Sequence, residues 1–135
     1  MRKLTLISTL IFSTFVFSST TFAGWTKVAR SIDGNTFYVD FERIRKHGGY
    51  VYFWYMTDLL KPEDGVLSDK IYVQGDCKLF RYKKLSISGH KEPMGGGTGD
   101  SYSPENPGWE YPPPNSSGKT VLKSVCNHIC NHIGE

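Results

Sequence analysis

The chain has 135 residues, with 14 glycines, 7 prolines and 3 cysteines, and its 16 Lys+Arg against 13 Asp+Glu give a net charge of +3. That length allows one domain with one modest core. Two of the positive charges, Arg2 and Lys3, fall in a leader; without them +3 drops to +1, which removes any general electrostatic case for nucleic acid as a partner.

Met1-Arg2-Lys3 is a short positive n-region, residues 4–17 are apolar apart from Ser and Thr, and residues 18–23 are polar, with Thr21 and Ala23 at the small-residue positions. This pattern predicts a secretory signal peptide over 1–23, cut between Ala23 and Gly24. The apolar run is too short to span a bilayer and no other follows, so no transmembrane anchor is expected. No cysteine stands at the cleavage point, so no lipid anchor is expected either. Residues 24–135 are then one exported domain, in the periplasm, at the cell surface or secreted, where disulfides persist.

Residues 24–30 read as a first strand, followed by the turn signal Asp33-Gly34. Phe37, Val39 and Phe41 alternate with Tyr38, Asp40 and Glu42, as a half-buried strand requires. Residues 43–49 read as a connection closed by His47-Gly48-Gly49. Next comes YVYFWYMTD at 50–58, in which Tyr50, Tyr52, Trp54 and Met56 share one face and Val51, Phe53 and Tyr55 the other. Large residues on both faces predict a central strand covered on both sides; the alternative is an exposed aromatic strip.

Residues 61–65 read as a loop, and two strands follow at 69–74 and 77–88, divided by Gly75-Asp76. The second carries Lys78, Arg81, Lys83 and Lys84, which form either a solvated charged edge or a surface for an anionic ligand. Residues 91–115 form a Gly/Pro-rich loop in which no period survives, with Trp109 and Tyr111 as its tethers. It holds no phosphate motif. The dinucleotide fingerprint started at Gly95 or Gly97 lacks its last glycine, and Gly118-Lys119-Thr120 has Pro113 where a P-loop opens with glycine.

Asn115-Ser116-Ser117 offer N-caps, and Val121, Leu122, Val125, Cys126 and Ile129 then follow helical spacing, so residues 118–130 are expected to lay an apolar stripe on the sheet. The tail CNHICNHIGE places two cysteines and two histidines within seven positions. On a helix the cysteines lie on one face and the histidines on roughly the opposite one, so the four cannot converge on one metal ion. A tandem copy of CNHI explains the count without a metal, and no cofactor is expected. Three cysteines in an exported chain predict a bridge from Cys77 to Cys126 or Cys130. Cys126 is the better partner because it lies on the stripe facing the sheet, which leaves Cys130 free or open to an intermolecular bond.

No nucleophile–base or carboxylate pair stands out, and only His90, beside the flexible loop, and Asp76 hint at catalysis. The reading is a non-enzymatic binding module with a protein partner. Its candidate contacts are Arg43, Arg45 and Lys46 at one hairpin and Lys78, Arg81, Lys83 and Lys84 on the later strand. The alternative is a periplasmic envelope accessory protein, or an inhibitor of a cell-wall enzyme, acting through the 91–115 loop.

The ordered set DGNTFYVDFERIRKHG, WYMTD, GDCKLFRYKKLSIS, PMGGGTG, Trp109 with its prolines, and VLKSVC resembles the surface-adhesin protein E family of Gram-negative bacteria. The resemblance implies an α+β fold: a single antiparallel β-sheet with a C-terminal helix on one face, stapled by a disulfide between Cys77 and Cys126. It also implies an adhesin that binds host matrix and serum proteins such as laminin, vitronectin and plasminogen, and a homodimer. The chain departs from that pattern in lacking the lipid-attachment cysteine and in carrying the second CNHI.

Overall fold

The structure, a computed structural model, describes residues 24–132; the leader expected over 1–23 and residues 133–135 lie outside the described residues. Seven strands form, the longer ones on alternating apolar positions: β1 (Trp25–Arg30), β2 (Thr36–Asp40), β3 (Arg45–His47), β4 (Tyr50–Glu63), β5 (Val66–Asp76), β6 (Arg81–His90) and β7 (Gly99–Tyr102). One helix, α1 (Ser117–His132), follows them. All strand pairs are antiparallel, in the order β1-β2-β4-β5-β6-β7. β3 also pairs with β4, so β2 and β3 take successive stretches of the same edge.

The strand register decides which side chains face the helix, because partners across a ladder share a face. Val39 lies opposite Tyr55, Val51 opposite Gly75, Phe53 opposite Val73 and Tyr55 opposite Ile71. These positions meet Val121, Leu122, Val125 and Ile129 of α1 in a buried cluster. The helical stripe and the strand alternation therefore describe one core from its two sides. Burying a side chain of this size is worth roughly 1.5–3 kcal/mol. A Cβ on Gly75 would stand 2.9 Å from Val51 Cγ2 and 3.2 Å from Leu122, so the helix reaches the sheet only because this residue has no side chain. The disulfide joins Cys77 to Cys126, with Cα atoms 5.7 Å apart across 49 positions of sequence. In the chain-entropy picture such a closure contributes about 4 kcal/mol.

Several expectations need correction. The strand read through residue 42 ends at Asp40, residues 41–43 form a 3-10 turn, and residues 45–47, read as part of a connection, form β3 against β4. Residues 61–63 continue β4 instead of forming a loop, and the reversal is made by Asp64 and Gly65 alone, both at positive φ (50° and 77°). Gly75 and Asp76 end β5, and the reversal falls on 77–80, which places Cys77 in a turn. Residues 91–115 are not an unstructured loop throughout: β7 pairs with β6, and Glu110 bridges to Tyr82. Finally, β4 is not covered on both sides, because the helix lies on one face only.

Candidate functional site

On the face away from the helix, the register sets out side chains in rows across the strands. Lys27, Tyr38, Met56, Lys70 and Ser88 form one row. Trp54, Tyr72 and Ser86 form the next, and Arg45, Tyr52, Gln74 and Lys83 the third. Met56 is fully buried, and the reason is local. The turn Pro93–Gly95 folds back over it, with Met94 N–H donating to Asp58 at 2.9 Å and Gly95 N–H donating to Ser68 Oγ at 2.8 Å. Ser68 donates in turn to the Glu92 carbonyl at 2.6 Å. Beyond that turn the face stays open. Tyr50, Tyr52, Trp54 and Tyr72 are all half-buried, neither core nor free.

Their rings touch in sequence. Trp54 and Tyr72 have centroids 4.9 Å apart and Tyr52 and Tyr72 6.3 Å, tilted by about 31° and 33°. Tyr50 stacks obliquely on Trp109 at 5.5 Å. Trp109 also takes the Arg81 guanidinium at 4.0 Å from its ring centre and the Lys83 ammonium at 4.5 Å. Cations over an indole face gain from its quadrupole. Arg81 is further fixed by Asp76 at 3.0 Å and by the Tyr111 hydroxyl at 3.4 Å. Trp109 and Tyr111 are thus tethers of the Gly/Pro-rich segment, as their place in it implied, and Trp109 also completes the aromatic surface.

Carboxylates on this face are already engaged. Asp58 accepts the Met94 N–H, Asp40 is buried and paired with Arg43 at 3.2 Å, and Asp76 holds the β5–β6 turn. Burial opposes ionisation of Asp76, but the N–H groups of Leu79 and Lys78 and the Arg81 guanidinium hold its carboxyl below the usual carboxylate range.

The seven basic candidates do not form one patch. Arg45, Arg81 and Lys83 share the open face, and Trp109 joins the last two. Lys84 pairs with Val73 and so turns to the helix side, Lys46 pairs with Val51, Arg43 is spent on Asp40, and Lys78 stands exposed in the turn. Lys27 and Lys70 belong to the open face although neither stood out in the sequence. Their signal was the alternation of β1 and β5, which needs the register before it can be read.

The hints of catalysis resolve differently. Ser88 Oγ lies 3.0 Å from His90 Nε2, the first contact that an acyl-transfer site requires. The other ring nitrogen, Nδ1, is buried without a partner among the described residues, so none of these orients the imidazole as a base. Asp76 is a turn residue. A cavity of about 200 Å³ lies between α1 and the sheet, lined by Phe37, Phe53, Tyr55, Tyr82, Val121 and Leu122 among others. It is smaller than ordinary small-molecule sites, which start at about 300 Å³. Burial, then the nearby Tyr82, Asp69 and Glu110, push the Tyr55 phenol far up, so it stays neutral.

In the tail, Cys126 is bridged and Cys130 is exposed with a free thiol. His128 and His132 stack on each other at 4.5 Å, and His128 also packs on Phe41 at 4.9 Å. Burial and the neighbouring His132 lower the His128 pKa. Among the described residues no group of three or more His, Cys, Asp or Glu is placed to hold a metal ion. None of their helices is long and apolar enough to cross a membrane.

A model of the family described as surface-adhesin protein E matches residues 25–127. The chain belongs to the surface-adhesin protein E family. Two solved structures with the same fold bear on it. Crystal form II of Haemophilus influenzae protein E superposes with a TM-score of 0.59 at 16% identity, over 78% of this chain and 89% of that one. Protein E from non-typeable Haemophilus influenzae gives 0.58 at 15% identity, over 82% and 80%. At that identity the likeness speaks for the fold, and the family match covers both the aromatic strand and Trp109. No curated protein matches the sequence significantly.

Proposed function

We propose that this chain is an exported, non-enzymatic binding module, adhesin-like, that recognises a protein partner through its surface and works as a homodimer. The observation that carries the reading is the open sheet face. Half-buried aromatic rings and unpaired cations lie together there on a rigid ladder, and the carboxylates beside them are already spent. Exposed aromatic surface on a stable scaffold marks an interaction site. Family membership supports the same reading, and matrix or serum proteins such as laminin, vitronectin and plasminogen are the partners it points to first.

An inhibitor acting through an inserted loop finds less support, because the 91–115 segment is pinned at Met94, at β7 and at Glu110. The test is to immobilise the processed protein and to measure binding of laminin, vitronectin and plasminogen against albumin, with a parallel capture from periplasmic extract. Saturable, albumin-resistant binding of one of the three is expected, and light scattering should return twice the protomer mass. Binding of none, with specific capture of an endogenous periplasmic enzyme, would overturn the proposal in favour of the accessory role.

A further inference from the structure

The open face is ordered beyond what an exposed aromatic surface alone requires. Its middle row, Trp54 and Tyr72, is aromatic, and Ser86 continues it as a neutral hydrogen-bonding group. The row on one side carries Lys27 and Lys70, with Met56 under the turn Pro93–Gly95 between them, and the row on the other ends in Arg45 and Lys83. Adjacent rows on one face lie two residues apart along the strands, roughly 7 Å. We propose that this face binds a linear acidic polysaccharide, its sugar rings stacked along Trp54 and Tyr72 and its sulfates or carboxylates held alternately by the two cationic rows. This goes beyond the protein-binding reading and does not depend on it.

Three features favour a polysaccharide over an acidic peptide. First, the face is a row of rings and not a pocket, which suits the faces of successive sugars, and the cavity described above lies between α1 and the sheet, away from Tyr52, Trp54 and Tyr72. Second, a peptide laid over a sheet face finds no backbone partners, because the N–H and C=O groups of the ladder point along the sheet; its own amides would stay unpaired against the rings. Sugar hydroxyls remain open to water and reach the tyrosine hydroxyls, Gln74 and Ser86. Third, cations outnumber carboxylates there: Lys27, Arg45, Lys70, Arg81 and Lys83 stand against Asp40, Asp58 and Asp76, and Arg43 and Arg81 pair with the first and last of these, so an anionic polymer meets net positive charge.

The experiment uses the processed, disulfide-bonded protein and four labelled polymers: dextran sulfate, polygalacturonate, neutral dextran and poly-glutamate. Binding is read by fluorescence anisotropy at low and high salt for wild type, Trp54→Ala, Tyr72→Ala, Lys83→Gln and the helix control Lys123→Gln. Each variant is checked for native far-UV circular dichroism and an intact Cys77–Cys126 bridge, and Tyr72→Phe is the milder substitute should Tyr72→Ala misfold. Dextran sulfate or polygalacturonate should bind saturably and neutral dextran should not. Whichever of the two binds identifies sulfate or carboxylate as the recognised group. Trp54→Ala and Tyr72→Ala should each weaken binding by about two- to tenfold, the range for loss of one aromatic contact. Lys83→Gln should reduce the salt dependence and Lys123→Gln should change nothing. Poly-glutamate bound as tightly, with Trp54→Ala indifferent, would overturn the proposal in favour of an unspecific basic surface or an acidic peptide, and so would the absence of binding to both acidic polysaccharides. A wild type that fails here yet still binds a matrix protein separates this failure from failure of the protein-binding reading.

Discussion

Asp76 and Asp40 carry the two most informative carboxylates. Asp76 Oδ1 accepts N–H groups from Lys78 and Leu79, each at 3.1 Å, while Oδ2 takes Arg81 Nε at 3.0 Å, so one side chain sets the turn that presents Cys77. Its folded pKa is depressed, so its contribution is fully present above the unfolded value, about 3.9, and is lost as pH falls through the lower folded value. Asp76→Asn should therefore lower the urea midpoint at pH 7 and leave a smaller loss of stability below about pH 4 than wild type shows. An unchanged acid limb would mean that other carboxylates set it. Asp40 poses the reverse problem. It is 2% exposed, its Oδ2 pairs with Arg43, and its Oδ1 has no partner among the described residues. A Cβ built on Gly24, at φ +83°, would lie 3.2 Å from that oxygen, so a side chain at residue 24 would be strained in its backbone and would crowd a buried acceptor. Gly24→Ala should then lower the chemical-denaturation midpoint by an amount worth about 1 kcal/mol or more. An unchanged midpoint would mean that the backbone at residue 24 relaxes without cost.

At the scale of elements, α1 is held by a cap, a stripe and a bridge. Ser116 Oγ accepts the Lys119 N–H at 3.1 Å, and Leu122 is 1% exposed over Gly75. Losing the cap in Ser116→Ala should cost about 1 kcal/mol, and Leu122→Ala about 2–5 kcal/mol. The cysteines separate more sharply. Cys126→Ala should remove about 4 kcal/mol, while Cys130→Ala, on the exposed side, should stay within about 0.5 kcal/mol of wild type, both read from urea midpoints. These elements were legible because helical spacing turns Cys126 toward the sheet before any partner is known. The β5–β6 turn was misplaced for a physical reason: Gly75 looks like a turn glycine, yet it is small because Leu122 and Val51 crowd it. β7 escaped notice because all four of its residues are exposed, so no alternation marks it. The open face of β4 reads as covered because alternating large residues look the same whether or not something packs on them. That depends on the rest of the chain, here a helix on one side and, on the other, the turn Pro93–Gly95 over Met56 and Trp109 against Tyr50.

Across the whole molecule, a net charge of +1 over residues 24–135 conceals an uneven spread of sign. Lys27, Arg45, Lys70, Lys83 and Arg81 turn to the open face against Asp40, Asp58 and Asp76, whereas on the helix side Asp69 and Glu110, which both raise the Tyr55 phenol, offset Lys46 and Lys84. A surface field depends on such segregation more than on net charge, and at ordinary ionic strength it reaches about 8–10 Å. The division makes a prediction that averages cannot. Near pH 7 and at low salt the processed protein should be retained on a cation exchanger more strongly than its net charge implies. Reversing two charges on the open face, Arg45→Glu with Lys83→Glu, should abolish that retention. Reversing two on the helix, Lys119→Glu with Lys123→Glu, changes the net charge by the same amount and should leave most of the retention in place. If both pairs shift the elution salt equally, the molecule behaves as a uniformly charged body, and the open face has no electrostatic claim to be the binding surface.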